Sequence, residues 1–397
     1  MAQATGAGSS GVPRGDAIAL TRALTKIDSR NPTLVPGGPG ERDVAIFLSQ
    51  VLTEWGFSVE LTDAADNRPN VIARVGAANS PALMFAGHLD IVGIDGMTHS
   101  PFNAEVRDGR IYGRGATDMK SGIASMCAAA AIAVDRIPDA RSRQVVIAAV
   151  IDEEYASIGM RELVASGVTA EAAIITEPTR LAINPAHRGF IWIEITFTGR
   201  AAHGSRYDIG VDAIRHAGLV LAELDNLDAE VFPLNKHPLL GRGSLHASAI
   251  EGGSGLSTYP DRCVLTIERR TLPGDTAETS LQEVRDACDR VRATHPSLSA
   301  EIRLIESQLP SDVSVDAPVV SMLRKAMEEE SCEVVVEGMS AWTDAAILNE
   351  AGIPAICYGP GDISLAHAAE EFVSIDEIER ATAVLARMAQ NWLQEKA

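Results

Sequence analysis

Histidine and carboxylate side chains stand where apolar runs end in this chain. Met84-Phe85-Ala86-Gly87 leads into His88-Leu89-Asp90, Val145 to Ile151 into Asp152-Glu153-Glu154, and Ala172 to Ile175 into Thr176-Glu177-Pro178. Asp118 lies in a glycine-flanked loop, Gly113 to Gly122, and His367 in the segment Gly359 to Glu371. Strands of an open α/β sheet end at the rim where ligands bind. A sheet that aligns these runs gathers two imidazoles and several carboxylates at one edge. That donor set suits a two-metal hydrolase.

Each motif also has a plainer reading. Imidazole is a common metal ligand, and its second nitrogen needs a partner to fix the tautomer. Residues two apart on a strand face one side, so Asp90 could orient His88; the alternative is a core histidine bonded to an aspartate. Asp118 could bridge two metals about 3.5–4 Å apart, or cap the following helix. Adjacent buried carboxylates are costly without cations, so Glu153 and Glu154 could divide the work of general base and ligand; the alternative is an acidic turn. Asp152 reads as structural and Lys120 as solvated or structural. His203, in Gly199 to Ser205, ends a strand, and a lone histidine there is usually structural or solvated. Arg270 could grip a carboxylate with both arms of its guanidinium, or be exposed beside Arg269.

The elements that must position these groups are legible from periodicity. From about residue 16 to 188, helical spacing at Ala17 to Ile27, Arg42 to Trp55 and Lys120 to Ile137 alternates with strand patterns at Asn70 to Val75 and Pro81 to Ala86. That alternation predicts an α/β domain. The period changes after Gly189: Ile191, Ile193, Ile195 and Phe197 alternate with Trp192, Glu194 and Thr196, the mark of a strand with one face on a core. Helix Val211 to Leu227, strands Leu245 to Ile250 and Cys263 to Arg270, helix Thr276 to Val291 and strand Ala300 to Ile305 complete a ferredoxin-like split βαβ order. Helices at Val319 to Glu329 and Ile375 to Trp392, with a strand at Ile353 to Tyr358, return to the first pattern. The expected organisation is a disordered tail at 1–15, a catalytic α/β domain at 16–188 and 306–397, and an inserted α+β domain at 189–305.

Composition narrows the function. The chain has 397 residues, 46% hydrophobic and 22% charged, and a formal net charge of -20. The acidic balance argues against nucleic acid and anionic membranes as partners. Five widely spaced cysteines, none in a Cys-x-x-Cys pair, suit reduced thiols in the cytoplasm. Residues 1–15 lack the apolar core of a signal peptide, and Ile123 to Val134 is too short for a membrane span.

Taken together and in this order, the motifs at His88, Gly113 to Gly122, Asp152, Thr176 and His367 resemble the M20 metallopeptidase and deacylase family. That group includes acetylornithine deacetylase, succinyl-diaminopimelate desuccinylase, aminoacylases and glutamate carboxypeptidases. The resemblance runs from about Arg42 to the C-terminus. It implies a two-zinc aminopeptidase-like catalytic domain with an inserted ferredoxin-like dimerisation (lid) domain. It implies two Zn²⁺ per chain, with Co²⁺ or Mn²⁺ as substitutes: one held by His88 and Glu177, the other by Glu154 and His367. Asp118 would bridge them through a residue whose peptide bond to Met119 is cis. Glu153 would be the general base and then the acid, and Asp90 would support His88 and tune that base. His203 would stabilise the oxyanion in a neighbouring subunit, and Arg270 would bind a substrate carboxylate. Ser257 stands nearest the place of a substrate-contacting Asn in relatives. Trp342 replaces a glycine before Thr343-Asp344, and either lines the pocket or packs in the core. The implied reaction is hydrolysis of an N-acyl amino acid by zinc-activated water in a homodimer. Carboxypeptidase or dipeptidase activity and N-carbamoyl amino acid hydrolysis are the alternatives within the class; a non-catalytic metal- or peptide-binding relative is the alternative outside it.

Overall fold

The computed structural model describes residues 9–78, 80–137 and 142–395. The chain divides into two compact units. The first comprises residues up to Pro185, Val313–Glu337 and Thr343–Ala397; the second comprises Ala186–Asp312 and Gly338–Trp342. Against the expected 189–305, the second unit starts at Ala186, runs to Asp312 and takes in Gly338–Trp342; strand Ser299–Gln308 continues past 305 and Ser311–Asp312 follows it.

In the first unit the strands lie in the order Ser58–Ala65, Arg68–Gly76, Gln144–Val150, Ala82–His88, Ala172–Ile175, Ala355–Cys357 and Ile183–His187. The first and last of these were not foreseen; the first is an edge strand with little burial, so it carries weak alternation, and the last is broken in pattern by Asn184 and Pro185. The four central strands, from Gln144–Val150 to Ala355–Cys357, run parallel. Their residues are apolar and almost wholly buried, as expected for strands covered on both faces. The alanine-rich helix Ser121–Arg136 packs against the long C-terminal helix Ile375–Gln394. Alanines 128 to 131 are fully buried, and their small size lets elements approach closely without aromatic filler. Gly122 carries this furthest: a Cβ there would sit 1.9 Å from the Thr176 carbonyl oxygen.

The expected tail at 1–15 begins outside the described residues, but Ser10 to Gly15 is tied down. Ser10 N donates to Glu54, Trp55 Nε1 donates to the Val12 carbonyl, and Arg14 pairs with Asp135 at 2.9 Å. Polar composition alone hides such partners, which lie on other elements.

The second unit is an antiparallel sheet in the order Ser244–Gly252, Arg262–Thr271, Gly189–Thr198, Ser299–Gln308. Helices Ala213–Asn226 and Ala277–Thr294 contribute to its core with Ile191, Ile193, Ile195 and Phe197. This is the ferredoxin-like arrangement that the element order predicts. All five cysteines are unpaired, and among the described residues no helix is long and apolar enough to cross a membrane.

Candidate metal centre and active site

Because the four central strands are parallel, their carboxyl ends share one rim. His88 ends its strand, Asp152 to Glu154 follow Val150, Glu177 follows Ile175, and the loop to His367 follows Cys357. Asp118 reaches the same place from the loop before helix Ser121–Arg136. It is not the helix cap, since that position is Lys120. The Asp118–Met119 peptide bond is cis.

The two oxygens of Asp118 face different imidazoles. Oδ1 is 3.0 Å from His88 Nε2, and Oδ2 is 3.5 Å from His367 Nε2. His88 Nε2 is also 3.9 Å from Glu177 Oε1 and 3.9 Å from Glu153 Oε2. His367 Nε2 is 3.0 Å from Glu154 Oε2. Ligand-capable atoms of His88, Asp118 and Glu154 all lie within 4.8 Å of one another. Two clusters therefore share one carboxylate, His88 with Glu177 on one side and His367 with Glu154 on the other.

The donor chemistry fits divalent cations. His88 Nδ1 donates to the Asp90 carbonyl at 3.0 Å, so Nε2 is the atom turned to the carboxylate oxygens, and without a cation it holds a proton that it donates to Asp118. Such a contact is repulsive unless a cation or proton lies between them. Histidine nitrogen and carboxylate oxygen are the donors of zinc and related first-row ions. The carboxylates strain for neutralisation in the metal-free protein. Burial, with Glu177, Asp344 and Glu154 nearby, pushes Glu153 well above the usual carboxylate range. Burial and Asp118 do the same to Glu177, and burial raises Glu154. Asp118 goes the other way: burial opposes its charge, but hydrogen bonds from His367 and His88 hold it low. His367, bonded to Asp118 and Glu154, is raised to about 10.

The Asp90 carboxylate serves the glutamates more than the histidine. Its Oδ1 accepts from Glu153 N at 3.1 Å and its Oδ2 from Glu154 N at 3.2 Å, whereas His88 Nδ1 lies 3.6 Å from Oδ1. Glu153 and Glu154 sit in a turn after the strand, and their side chains are only 10% and 7% exposed.

Some participants carry no motif of their own. Glu371 is buried; its Oε1 accepts from Thr117 N at 3.0 Å and Asp118 N at 3.3 Å, and its Oε2 from Arg114 Nη1 at 2.6 Å. It thus pins the His367 segment to the Asp118 loop. Asp344, also buried, is pushed up to about 7 by burial. Lys120, expected to be solvated or structural, is fully buried and takes the structural role. Its Nζ donates to the Ile27 carbonyl at 2.8 Å, and burial lowers it to about 7. The glycines around it let the loop fold inward, which local sequence does not announce.

The remaining expected residues belong to the second unit. His203 is exposed and bridges Thr258, and the Gly204 N–H donates to the Ser257 carbonyl at 2.7 Å, so His203 and Ser257 are neighbours. His203 Nδ1 is engaged by Ser205, whose hydroxyl lies 2.9 Å away and whose N–H donates to it at 3.3 Å, so Nε2 is the nitrogen turned away from these partners. Arg270 uses its Nε on Glu268 and lies over the Phe190 ring at 5.5 Å. Trp342 is 9% exposed. Its Nε1 donates to the Leu309 carbonyl at 3.0 Å, and its ring meets His187 and Phe190 edge to face. Of its two expected environments, it occupies a packed one.

A family model for peptidase family M20/M25/M40 matches residues 84–391. The chain belongs to this family. The M20 match is supported by a 31% identity over 342 residues, 84% of this chain and 87% of the relative, with acetylornithine deacetylase of Myxococcus xanthus. A tripeptidase from Staphylococcus aureus superposes with a TM-score of 0.78 at 19% identity, covering 96% of this chain and 98% of the other. A Bacillus subtilis protein described as a dinuclear metal-binding peptidase of the M20 family superposes with a TM-score of 0.72 at 18% identity, covering 95% and 98%. This M20 chain is a hydrolase of amide bonds, and the family's dependence on metal accords with its His, Asp and Glu cluster.

Proposed function

We propose that this M20 hydrolase removes the acyl group from an N-acyl amino acid, using two divalent cations, Zn²⁺ first, with Co²⁺ or Mn²⁺ as substitutes. The observation that carries the reading is the pair of clusters meeting at Asp118, one oxygen toward each histidine, with Glu153 beside them. His88 and Glu177 would hold one cation and Glu154 and His367 the other, with Asp118 available to both. When bound, the cations acidify water and polarise the amide carbonyl. Glu153 takes a proton from the attacking water and returns it to the leaving nitrogen. Its burial suits a base whose pKa approaches neutrality. Asp90 holds the backbone of Glu153 and Glu154 in register and supports His88 through its carbonyl.

His203 supplies an N–H to the oxyanion from a neighbouring subunit; its exposure and the engagement of Nδ1 by Ser205 support this role. Arg270 binds the substrate carboxylate with its terminal nitrogens, and Ser257, beside His203, contacts substrate with a hydroxyl. Trp342 acts as a packing residue against His187 and Phe190. The homodimer forms through strand Ser244–Gly252, whose outer edge has no partner among the described residues and whose residues from His246 onward are exposed; such an edge invites pairing with another chain. Five unpaired cysteines suit the cytoplasm. The 31% identical acetylornithine deacetylase favours deacylation, and the tripeptidase neighbour keeps peptide hydrolysis as the second reading.

The test is amine release from N-acetyl, N-succinyl, N-formyl and N-carbamoyl amino acids and from dipeptides, with metal-loaded and chelated protein, beside Glu153→Gln. Chelator-sensitive release that Glu153→Gln abolishes is expected. Undiminished release by Glu153→Gln would sink the mechanism, and release from dipeptides alone would replace deacylation with peptidase activity.

A further inference from the structure

Behind the candidate metal centre lies a buried polar network of which the proposed reaction uses only Asp90. Glu41, Asp90 and Asp152 are carboxylates with at most 1% exposure. Arg68 enters their midst from the start of strand Arg68–Gly76. Its Nε donates to Glu41 Oε2 at 2.7 Å, and its Nη2 donates to Glu41 Oε1 at 2.6 Å and Asp152 Oδ1 at 2.9 Å. Asn31, fully buried, joins the carboxylates to one another. Its Nδ2 donates to Asp152 Oδ1 at 2.9 Å and to Asp90 Oδ2 at 2.9 Å, while its Oδ1 accepts from Thr33 N at 2.9 Å.

The arrangement uses both donors of the amide. An asparagine has two N–H donors on one nitrogen, and here each meets a different carboxylate. Asp90 then passes the constraint on through its two oxygens, which accept from Glu153 N and Glu154 N. Asp152 shapes the same turn from the other side. It takes a left-handed backbone, φ 68°, and its carbonyl accepts from Ala156 N at 3.1 Å and Ser157 N at 2.6 Å. A non-glycine residue in that region persists only where surrounding contacts over-determine it, and Arg68 and Asn31 supply those contacts.

We propose that Asn31 and Arg68 are positioning residues for the reaction: Arg68 anchors Asp152, Asn31 ties Asp152 to Asp90, and Asp90 delivers the Glu153–Glu154 turn to the metal centre. This inference rests on the proposed roles of Glu153 as base and Glu154 as ligand. It explains why an amide stands at 31. A carboxylate there would add a charge and remove both donors; an apolar side chain would leave two buried carboxylates short of a partner. It also gives Arg68 a task that lysine meets only in part, since the guanidinium fork reaches two carboxylates at once.

The experiment uses the full chain with Asn31→Leu, Asn31→Ser, Arg68→Lys and Arg68→Met, beside Glu153→Gln. Zn²⁺ affinity of chelated protein is measured by competition with a chromophoric chelator, kcat and KM at saturating Zn²⁺, and folding by circular dichroism. Loss of a residue that supports a metal ligand costs about 10–100-fold in affinity or activity. Asn31→Leu should show a loss of that size in Zn²⁺ affinity and in kcat, with KM within about threefold. Asn31→Ser, which keeps one donor, should fall between it and the wild type, and Arg68→Lys should retain more than Arg68→Met. A merely structural residue would lower the melting temperature and leave Zn²⁺ affinity and kcat of the folded fraction unchanged. Folded Asn31→Leu with both within twofold of wild type overturns the proposal. If Asn31→Leu does not fold, wild-type behaviour of Asn31→Ser and Arg68→Met overturns it. An active Glu153→Gln overturns the underlying reading instead, and a dead Glu153→Gln beside a normal Asn31→Leu removes the positioning role alone.

Discussion

Replacing Arg114 by methionine should destabilise the first unit, and by an amount that grows with pH. The Arg114 and Glu371 side chains are 3% and 1% exposed and meet at 2.6 Å. Arg114 Nε also donates to the Gly93 carbonyl at 2.9 Å. Breaking a buried pair by removing one partner costs about 3–5 kcal/mol, because the other charge is stranded. Part of that cost can be read from titration. Burial pushes Glu371 up to about 7, and the Arg114 charge partly offsets the rise. An acid raised in the folded state stabilises at low pH and loses that contribution as pH rises through its folded pKa. Without Arg114 the folded pKa climbs further. The variant's deficit should then widen by up to about 1.4 kcal/mol per pH unit between the two values. Between pH 5.5 and pH 8.5 this amounts to about 2 kcal/mol, above a pH-independent loss of hydrogen bonds of about 1–3 kcal/mol. Urea unfolding of chelated wild type and Arg114→Met at both pH values, followed by circular dichroism, measures the difference; other titrating groups cancel in the comparison. Arg114→Met with Glu371→Gln should recover most of the high-pH loss, since no charge is then stranded. A deficit under about 1 kcal/mol, a deficit that does not grow with pH, or a double variant no better than the single one would refute the reasoning.

Three further outcomes are expected. Chelation should lower the melting temperature more at pH 8.5 than at pH 5.5, because the raised Glu153, Glu154 and Glu177 stabilise the metal-free fold only while protonated; a gap that is constant or narrows with pH contradicts this. His203→Ala should lower kcat by about 100-fold or more while Zn²⁺ content stays at the wild-type level, and metal loss would make it a ligand instead. Gly122→Ala should destabilise by about 1–3 kcal/mol or more, since the added methyl meets the Thr176 carbonyl; an unchanged melting temperature would show that the helix shifts freely.

Local pattern was enough to locate the strands that carry the chemistry. Fully apolar runs stop abruptly at His88, Asp152 and Glu177, because a strand covered on both faces admits no polar residue until it leaves the sheet. Alternation likewise marked the second unit, whose sheet is covered on one face only. What pattern could not express was which strands lie side by side and in which direction. The parallel order of four separated strands brings five segments to one rim, and only that order sets the two oxygens of Asp118 toward His88 and His367. The supporting groups were least legible. Asn31, Arg68, Arg114 and Glu371 look like surface polar residues in sequence, yet each is buried or nearly so through partners as far as 257 positions away. For Lys120 the sequence left solvated and structural readings open, and only the fold chose the structural one, through the carbonyl of Ile27. A hydrogen bond or ion pair depends on geometry in space, whereas periodicity records only which face of an element avoids water. The sequence by itself determined the elements and the reactive residue types; the tertiary structure decided which charges face one another.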